Sequence, residues 1–286
     1  MRSLSLFPRS AFALALVVFA SAVSAQPAAP AVAPASVPAP ATATTSAPAA
    51  PTTIVARPAA EYPKVNTALI PVPQRTEDRL PQQAVTNFNT RHERYVAQAR
   101  AGGIDLLFLG DSITQAWGDR GKPTFDQYYG SLKAAAFGIG YDRTQHLLWR
   151  IQNGETDGIA PKVVVVMIGT NNIGLNTPAE IAVGIGAIVH ELRTRLPAAK
   201  ILLHGIFPRD LKDSRNRRLV AETNQLIAPL HDGQKVFFLD LADKFIDTEG
   251  NISPEIVRDN PPLHPTAAGY GVWAEAIKEP LAELMK

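Results

Sequence analysis

Five short apolar runs, rich in valine, leucine and isoleucine, constrain the fold of this chain more than any other feature. They cover residues 104–109, 134–139, 163–168, 200–207 and 235–241. Apolar residues are nearly continuous in each run rather than alternating with polar ones, which is typical of strands that are covered on both faces of a parallel sheet. We therefore predict five buried strands.

Segments with helical periodicity alternate with these runs, at residues 77–101, 143–152, 178–196, 214–230 and 266–285. Thr177 followed by Pro178 and Glu180 has the pattern of a capped helix start. Alternating strands and helices predict an α/β fold, a three-layer α/β/α sandwich around a five-stranded parallel sheet. In such sheets ligands bind beyond the carboxyl ends of the strands, so the loops there are the place to look for chemistry.

The N-terminus has the pattern of an export signal. Arg2 and Arg9 flank the start of an apolar run at residues 11–23, and small residues precede a cleavage point after Ala25. An uncleaved membrane anchor is the alternative, but the run is shorter than the roughly 20 residues that span a bilayer. We predict a signal peptide at residues 1–25, a secreted or periplasmic protein, and no membrane span after cleavage.

Residues 26–71 are mostly Ala, Pro, Thr, Val and Ser, a composition with few large apolar side chains to bury. We interpret them as a disordered linker. The remaining residues, 72–286, have the length of one folded domain.

Charge and cysteine content exclude several classes of function. The formal net charge is +2, and the only basic run, at residues 215–218, is interpreted as a solvated helix face, so we expect no nucleic-acid partner. The chain has no cysteine and therefore no disulfide. No cluster has metal-ligand spacing, and we expect neither a metal nor another cofactor.

Four polar blocks follow the apolar runs or lie near the C-terminus. They are Gly110-Asp111-Ser112, Gly138-Ile139-Gly140-Tyr141-Asp142, Gly169-Thr170-Asn171-Asn172 and Leu263-His264-Pro265. Each alone has an ordinary structural interpretation: an Asx-type turn, loop asparagines bonded to their own backbone, or a solvent-facing histidine. The first block is not the Gly-x-Ser-x-Gly elbow, because Thr114 stands at the last position. It has no phosphate-binding glycine pattern either.

Taken together and in this order, the blocks resemble those of the GDSL/SGNH hydrolases. The resemblance is closer still to the catalytic-subunit type of platelet-activating-factor acetylhydrolase and its bacterial relatives. Four stretches carry that closer resemblance: Phe137 to Gly140, residues 146–150, Asn153 to Glu155 and residues 161–163.

The resemblance implies a flavodoxin-like fold and a metal-free serine esterase. It implies that Ser112 is the nucleophile and His264 the general base, while the Ser112 N–H and the Asn171 amide donate to the oxyanion. The substrate expected is a small acyl ester, acetyl above all, of a glycan, a lipid or a xenobiotic alcohol. The resemblance leaves open whether the chain forms a homodimer.

Two positions depart from the family pattern. Tyr141 stands where a glycine usually donates its backbone N–H to the oxyanion, and we expect it to donate there and its ring to narrow the pocket. The acid usually lies three residues before the histidine, where this chain has Pro261. The nearest carboxylate is Asp259, which we predict to orient His264, with a backbone carbonyl as the alternative. Because of these departures, the alternative function is a non-catalytic carbohydrate- or lipid-binding module.

Overall fold

The computed structural model describes residues 65–286. The predicted signal peptide and the linker as far as residue 64 lie outside the described residues. In the described part of the chain, no helix has both the length and the apolar character needed to cross a membrane.

A parallel sheet of five strands forms the centre of the domain, as predicted. Its strands are β1 (Leu106–Gly110), β2 (Ala134–Gly138), β3 (Val163–Met167), β4 (Lys200–His204) and β5 (Val236–Leu239). Their order is β2-β1-β3-β4-β5, and every neighbouring pair is parallel. The strand order reverses direction between β1 and β3, which makes the carboxyl ends of these two strands the expected place for a binding crevice.

Helices cover both faces of this sheet, which confirms the three-layer prediction. Alternate residues of β1 point to opposite layers: Leu107 and Leu109 join one buried cluster, Leu106 and Phe108 the other. The first cluster includes side chains of α1 (Gln82–Ala101), α4 (Thr144–Arg150), α5 (Pro178–Arg195) and α6 (Arg215–Ile227). The second includes side chains of α2 (Ser112–Gln115), α3 (Lys122–Tyr129), α7 (Ala242–Phe245) and α8 (Ala267–Leu284).

Helix and strand boundaries differ from the predictions where local signals compete. Helix α1 begins at Gln82 instead of residue 77, because Pro81 forms its N-cap and a separate 3-10 turn precedes it. The short helices α2 and α3 between β1 and β2 were not predicted, since they are too short to show helical periodicity. The apolar residues 205–207 follow the end of β4 as buried loop, which apolar character alone does not distinguish from strand.

The folded domain begins earlier than the predicted boundary at residue 72. Thr67–Leu69 form a 3-10 turn in which Ala68 is fully buried. The carbonyl oxygen of Ala68 accepts a hydrogen bond of 2.7 Å from the Thr144 hydroxyl. The hydroxyl of Thr67 accepts one of 3.0 Å from the amide of Asn176. The last residues assigned to the linker therefore pack against the folded domain, with Ala68 buried in it. So short a segment carries no periodicity that would have shown this.

Candidate active site

The serine of the first block lies at the carboxyl end of β1, on the first residue of α2. Asp111 is the N-cap of this helix, and its Oδ1 accepts the N–H of Ile113 at 2.9 Å. The Asx-type turn expected as the ordinary interpretation is therefore present, with Asp111 as its capping residue. The N–H of Ser112 has no partner within the helix, because the first amides of a helix never do.

Two glycines allow α2 to pack directly onto the ends of the strands. A Cβ atom on Gly110 would lie 2.2 Å from the Thr114 hydroxyl, and one on Gly138 would lie 2.0 Å from the backbone nitrogen of Gln115. Side chains at these positions would push the helix away. The close approach fixes Ser112 at the edge of the sheet, beside the loop that follows β2.

Ser112, His264 and Asp259 form a continuous chain of hydrogen bonds. The Oγ of Ser112 lies 3.0 Å from Nε2 of His264, and Nδ1 of His264 lies 2.6 Å from Oδ2 of Asp259. The same carboxylate oxygen accepts the backbone N–H of His264 at 3.1 Å. Partial burial acts to raise the pKa of Asp259, but these hydrogen bonds from His264 outweigh it and hold the pKa below its ordinary value. The carboxylate is therefore ionised at neutral pH and holds a proton on Nδ1, which leaves Nε2 free to accept the serine proton.

A tight hairpin brings the carboxylate back to the ring across five residues. The two-residue strands β6 (Val257–Arg258) and β7 (His264–Pro265) pair in antiparallel fashion. The N–H of Leu263 also donates to the carbonyl of Arg258, at 3.1 Å. Asp259 adopts a positive φ of 81° at the start of the turn. The group beside Nδ1 of His264 is therefore the side chain of Asp259. Its role in orienting His264 stays a prediction.

The two loops that carry the expected oxyanion donors contact each other. Nδ2 of Asn171, on the 3-10 turn after β3, donates to the carbonyl of Asp142 at 2.9 Å, and this uses one of its two hydrogens. Tyr141 adopts a positive φ of 64°, the conformation that favours the glycine found in relatives. Among residues 65–286 its N–H has no acceptor, so it is available to a ligand. The Tyr141 ring is half exposed, and the narrowing of the pocket stays a prediction.

A buried arginine connects the ends of β1 and β2 with the loop that follows β2. The guanidinium of Arg150 donates to the carbonyl of Gly110, the last residue of β1, at 3.0 Å. It also donates to the carbonyl of Phe137, one residue before the end of β2, at 3.2 Å. It also pairs with the carboxylate of Asp142 at 2.8 Å and with that of Glu155. All three charged side chains are fully buried. In the sequence, Arg150 and Glu155 were only marks of resemblance, and this role was not predicted. The available signal was an arginine directly after the apolar residues 147–149.

Asp111 has an unusual environment beside the serine. It is completely buried, and its Oδ2 has no hydrogen-bond partner within residues 65–286. Burial raises the pKa of Asp111 to about 7, helped by the negative charge of Asp142 and opposed by the Ile113 N–H and by Arg209.

Within residues 65–286, no group of three or more His, Asp or Glu side chains is arranged to hold a metal ion.

Comparison with known proteins agrees with this architecture. Residues 108–272 match the model of the GDSL-like lipase/acylhydrolase family. The chain is 37% identical over 216 residues to the human platelet-activating factor acetylhydrolase IB subunit alpha2, a match that covers 75% of this chain and 91% of the human protein.

Two solved structures share the fold. One is a structure from Streptococcus pneumonia that is described as a suggested platelet activating factor. It has a TM-score of 0.60 and 20% identity, and the match covers 72% of this chain and 98% of that one. The other, the acetylxylan esterase Axe2 of Geobacillus stearothermophilus, has a TM-score of 0.51 and 20% identity, with 64% and 94% covered. The family match, the curated relative and the serine at the sheet edge lead to one conclusion: the chain belongs to the GDSL-like lipase/acylhydrolase family and is a carboxylic ester hydrolase.

Proposed function

We propose that this chain is a serine esterase that removes short acyl groups, acetyl above all, through a covalent acyl-enzyme on Ser112. The observation that carries the proposal is the hydrogen-bonded series from Ser112 through His264 to Asp259 at the carboxyl edge of the sheet. Such a series raises the nucleophilicity of a serine hydroxyl, because the imidazole accepts its proton as the new bond forms.

Acylation follows from the positions of these groups. Nε2 of His264 takes the Ser112 proton while Oγ attacks the ester carbonyl carbon. The negative charge that develops on the carbonyl oxygen is stabilised by the N–H of Ser112, the N–H of Tyr141 and the free amide hydrogen of Asn171. The tetrahedral intermediate then collapses, the carbon–oxygen bond to the alcohol breaks, and the imidazolium returns its proton to the leaving oxygen.

Deacylation repeats these steps with water. His264 takes a proton from water, the hydroxide oxygen attacks the acyl carbon, and the same donors hold the oxyanion. The bond to Ser112 breaks, Oγ regains a proton from His264, and the carboxylic acid leaves. Asp259 stabilises the imidazolium in both halves of the reaction without taking its proton.

The preference for short acyl chains rests on Tyr141 and on the relatives. A tyrosine in place of glycine adds a ring beside the expected oxyanion donors, which leaves less room for a long chain. The matching curated proteins are named acetylhydrolases. For the alcohol, an acetylated glycan or lipid fits an esterase that is exported, and the predicted signal peptide is the basis for proposing a secreted or periplasmic location. A mature protein isolated outside the cytoplasm and starting near Gln26 would support that location.

Covalent labelling tests the mechanism directly. An organophosphonate should label Ser112, as mapped by mass spectrometry of peptides, and labelling should block hydrolysis of p-nitrophenyl acetate. The Ser112→Ala protein should take up no label, whereas Ser131→Ala, which changes another serine of the domain, should label normally. An active enzyme labelled elsewhere would refute the assignment.

A series of p-nitrophenyl esters from acetyl to decanoyl tests the acyl preference, which would be wrong if long chains reacted faster. Activity should also survive EDTA, because no step of this mechanism uses a metal ion. Loss of activity in EDTA that a divalent ion restores would contradict it.

A further inference from the structure

The loop after β4 touches both of the loops that carry the proposed chemistry. Arg209 and Asp210 lie on this loop, between the end of β4 and the start of α6. Neither residue was singled out by the sequence, and neither belongs to the hydrogen-bonded series at Ser112. Their contacts nevertheless reach the residue before Asn171 on one side and the hairpin of His264 on the other.

The first contact fixes the turn that carries Asn171. Nη1 of Arg209 donates to the carbonyl oxygen of Thr170 at 3.0 Å and lies 3.2 Å from the Thr170 hydroxyl. Thr170 is the first residue of the 3-10 turn and is buried. Both contacts come from the single nitrogen Nη1, which carries two hydrogens and so reaches both oxygens of Thr170, and they hold the first residue of the turn in place.

The second contact fixes the hairpin that carries His264. The backbone N–H of Asp210 donates to the carbonyl oxygen of Pro262 at 2.7 Å. Pro262 lies two residues before His264, on the segment that returns from Asp259. That N–H points at the hairpin because Asp210 adopts a left-handed backbone conformation, with φ of 58°.

Other residues hold this loop rigid. The carboxylate of Asp210 accepts hydrogen bonds from Asn216 at 2.8 Å and from Nε of Arg209 at 3.1 Å. Arg217 donates to the carbonyls of Arg209 at 2.8 Å and Asp210 at 2.7 Å. Asp210 is buried, and the side chain of Arg209 is only 18% exposed. Strain at a positive φ persists only where the surroundings determine the backbone this fully.

We propose that Arg209 and Asp210 are positioning residues, which set the Asn171 amide and the His264 imidazole at the separation that the reaction needs. The inference rests on the proposed function, since it assigns both groups to one transition state. Small displacements of catalytic groups are costly: a misplacement of about 1 Å can lower a rate about 100-fold. A bridge of two hydrogen-bonded contacts between the loops limits such displacements.

Replacement of Arg209 by glutamine tests the proposal through kinetics. We expect Arg209→Gln to lower kcat for p-nitrophenyl acetate by about 10-fold to 100-fold with KM nearly unchanged. Arg209→Lys should recover only part of this loss, because lysine keeps the charge but lacks a planar group whose Nη1 donates to Thr170 while its Nε donates to Asp210. The matched control is Arg218→Gln, an exposed arginine of α6 whose guanidinium, within residues 65–286, donates only to the Asp213 carbonyl, and it should keep wild-type kinetics.

A double variant separates positioning from a general structural role. If Arg209 acts through Asn171, then Arg209→Gln should cost about threefold or less when Asn171→Ala is already present, since the group that it positions is gone. Losses that simply multiply would overturn the proposal, and so would a loss confined to KM, which would indicate direct contact with substrate. Should Arg209→Gln fail to fold, Thr170→Val removes one of the two contacts and gives the same test with a smaller expected loss.

The outcome is distinguishable from failure of the proposed function. If the acyl-enzyme mechanism is wrong, wild-type Ser112 takes up no organophosphonate. If only the positioning role is wrong, Ser112 is labelled in both the wild type and Arg209→Gln, and the kinetic losses of Arg209→Gln and Asn171→Ala multiply.

Discussion

The two halves of the candidate site are built in opposite ways. Ser112 and the donor loops lie on the ends of central strands, above the buried charges of Arg150, Asp142 and Glu155. His264 and Asp259 lie on a hairpin of two-residue strands, with side chains 24% and 30% exposed. One half is part of the core, while the other is attached to it.

Because of this difference, we expect mutations in one half to change the stability of the fold and mutations in the other to change the rate of the reaction. A group within the core is held by many contacts, and losing one of its buried ionic partners damages the whole fold. A group on the hairpin is held by few contacts, so that its loss changes the chemistry and leaves the fold nearly intact. The buried supports of the nucleophile half should therefore respond to mutation through stability, and the hairpin half through rate.

The largest expected effect tests the hairpin half. We expect His264→Ala to lower kcat by at least 10⁴-fold, and Asp259→Asn by about 10³-fold to 10⁴-fold, because the amide favours the wrong imidazole tautomer and no longer stabilises the imidazolium. Ester hydrolysis and thermal unfolding of the same samples measure the two responses. Both variants should unfold near the wild-type temperature. Near-normal turnover in Asp259→Asn would show instead that the enzyme uses only Ser112 and His264.

The core half should show the converse. Arg150→Gln leaves the carboxylates of Asp142 and Glu155 buried without their cation, and we expect a loss of about 3 to 5 kcal/mol in the free energy of unfolding. The matched variant in the hairpin is Arg258→Gln, which removes an exposed ion pair of 3.2 Å with Asp259 and should cost less than about 1 kcal/mol. Urea unfolding curves measure both. Equal losses would remove the contrast between the halves.

Asn171 connects the two halves. It lies on the turn that follows the core strand β3, and in the proposed mechanism it acts together with His264 of the hairpin. We expect Asn171→Ala to lower kcat by about 10²-fold to 10³-fold, the loss typical of one oxyanion donor, with little change in unfolding temperature. Asn153→Ala is the control, because that exposed amide also donates to a backbone carbonyl, of Trp149 at 2.7 Å, but takes no part in the site. Full activity in Asn171→Ala would assign this side chain to loop structure alone, through its bond to Asp142.

Sequence patterns predicted the strands and the site blocks better than they predicted the arginines that hold them in position. Strands such as residues 163–167 are apolar throughout, and each site block stands directly after a strand or a few residues from the C-terminal helix, so their arrangement follows from fold topology. Asp259 was found as the nearest carboxylate to His264, although its spacing departs from the family. The contacts of Arg150 and Arg209 join segments that are far apart in the chain, and nothing local in the sequence indicates which backbone carbonyl a guanidinium will reach.

Asp111 provides the smallest and most specific test, because it concerns the charge of one group within the core half. Its raised pKa means that the folded protein still holds the proton at pH values where the unfolded chain, with an ordinary pKa of 3.8, has lost it. Stability contributed by the neutral acid is therefore lost as pH rises from about 4 to about 7. Asparagine keeps the N-cap acceptor and does not titrate.

The stability of Asp111→Asn relative to the wild type should thus improve by about 2 kcal/mol between pH 5 and pH 7, at 1.36 kcal/mol for each pKa unit crossed. Urea unfolding at several pH values measures that difference. The control is Asp232→Asn in the exposed loop before β5, where three backbone N–H groups lower the pKa of Asp232 to about 2. That carboxylate is ionised in both states throughout this range, so its variant should show a constant difference from the wild type. A constant difference for Asp111→Asn as well would mean that Asp111 is ionised in the core at pH 5, and that Arg209 and the Ile113 amide outweigh its burial.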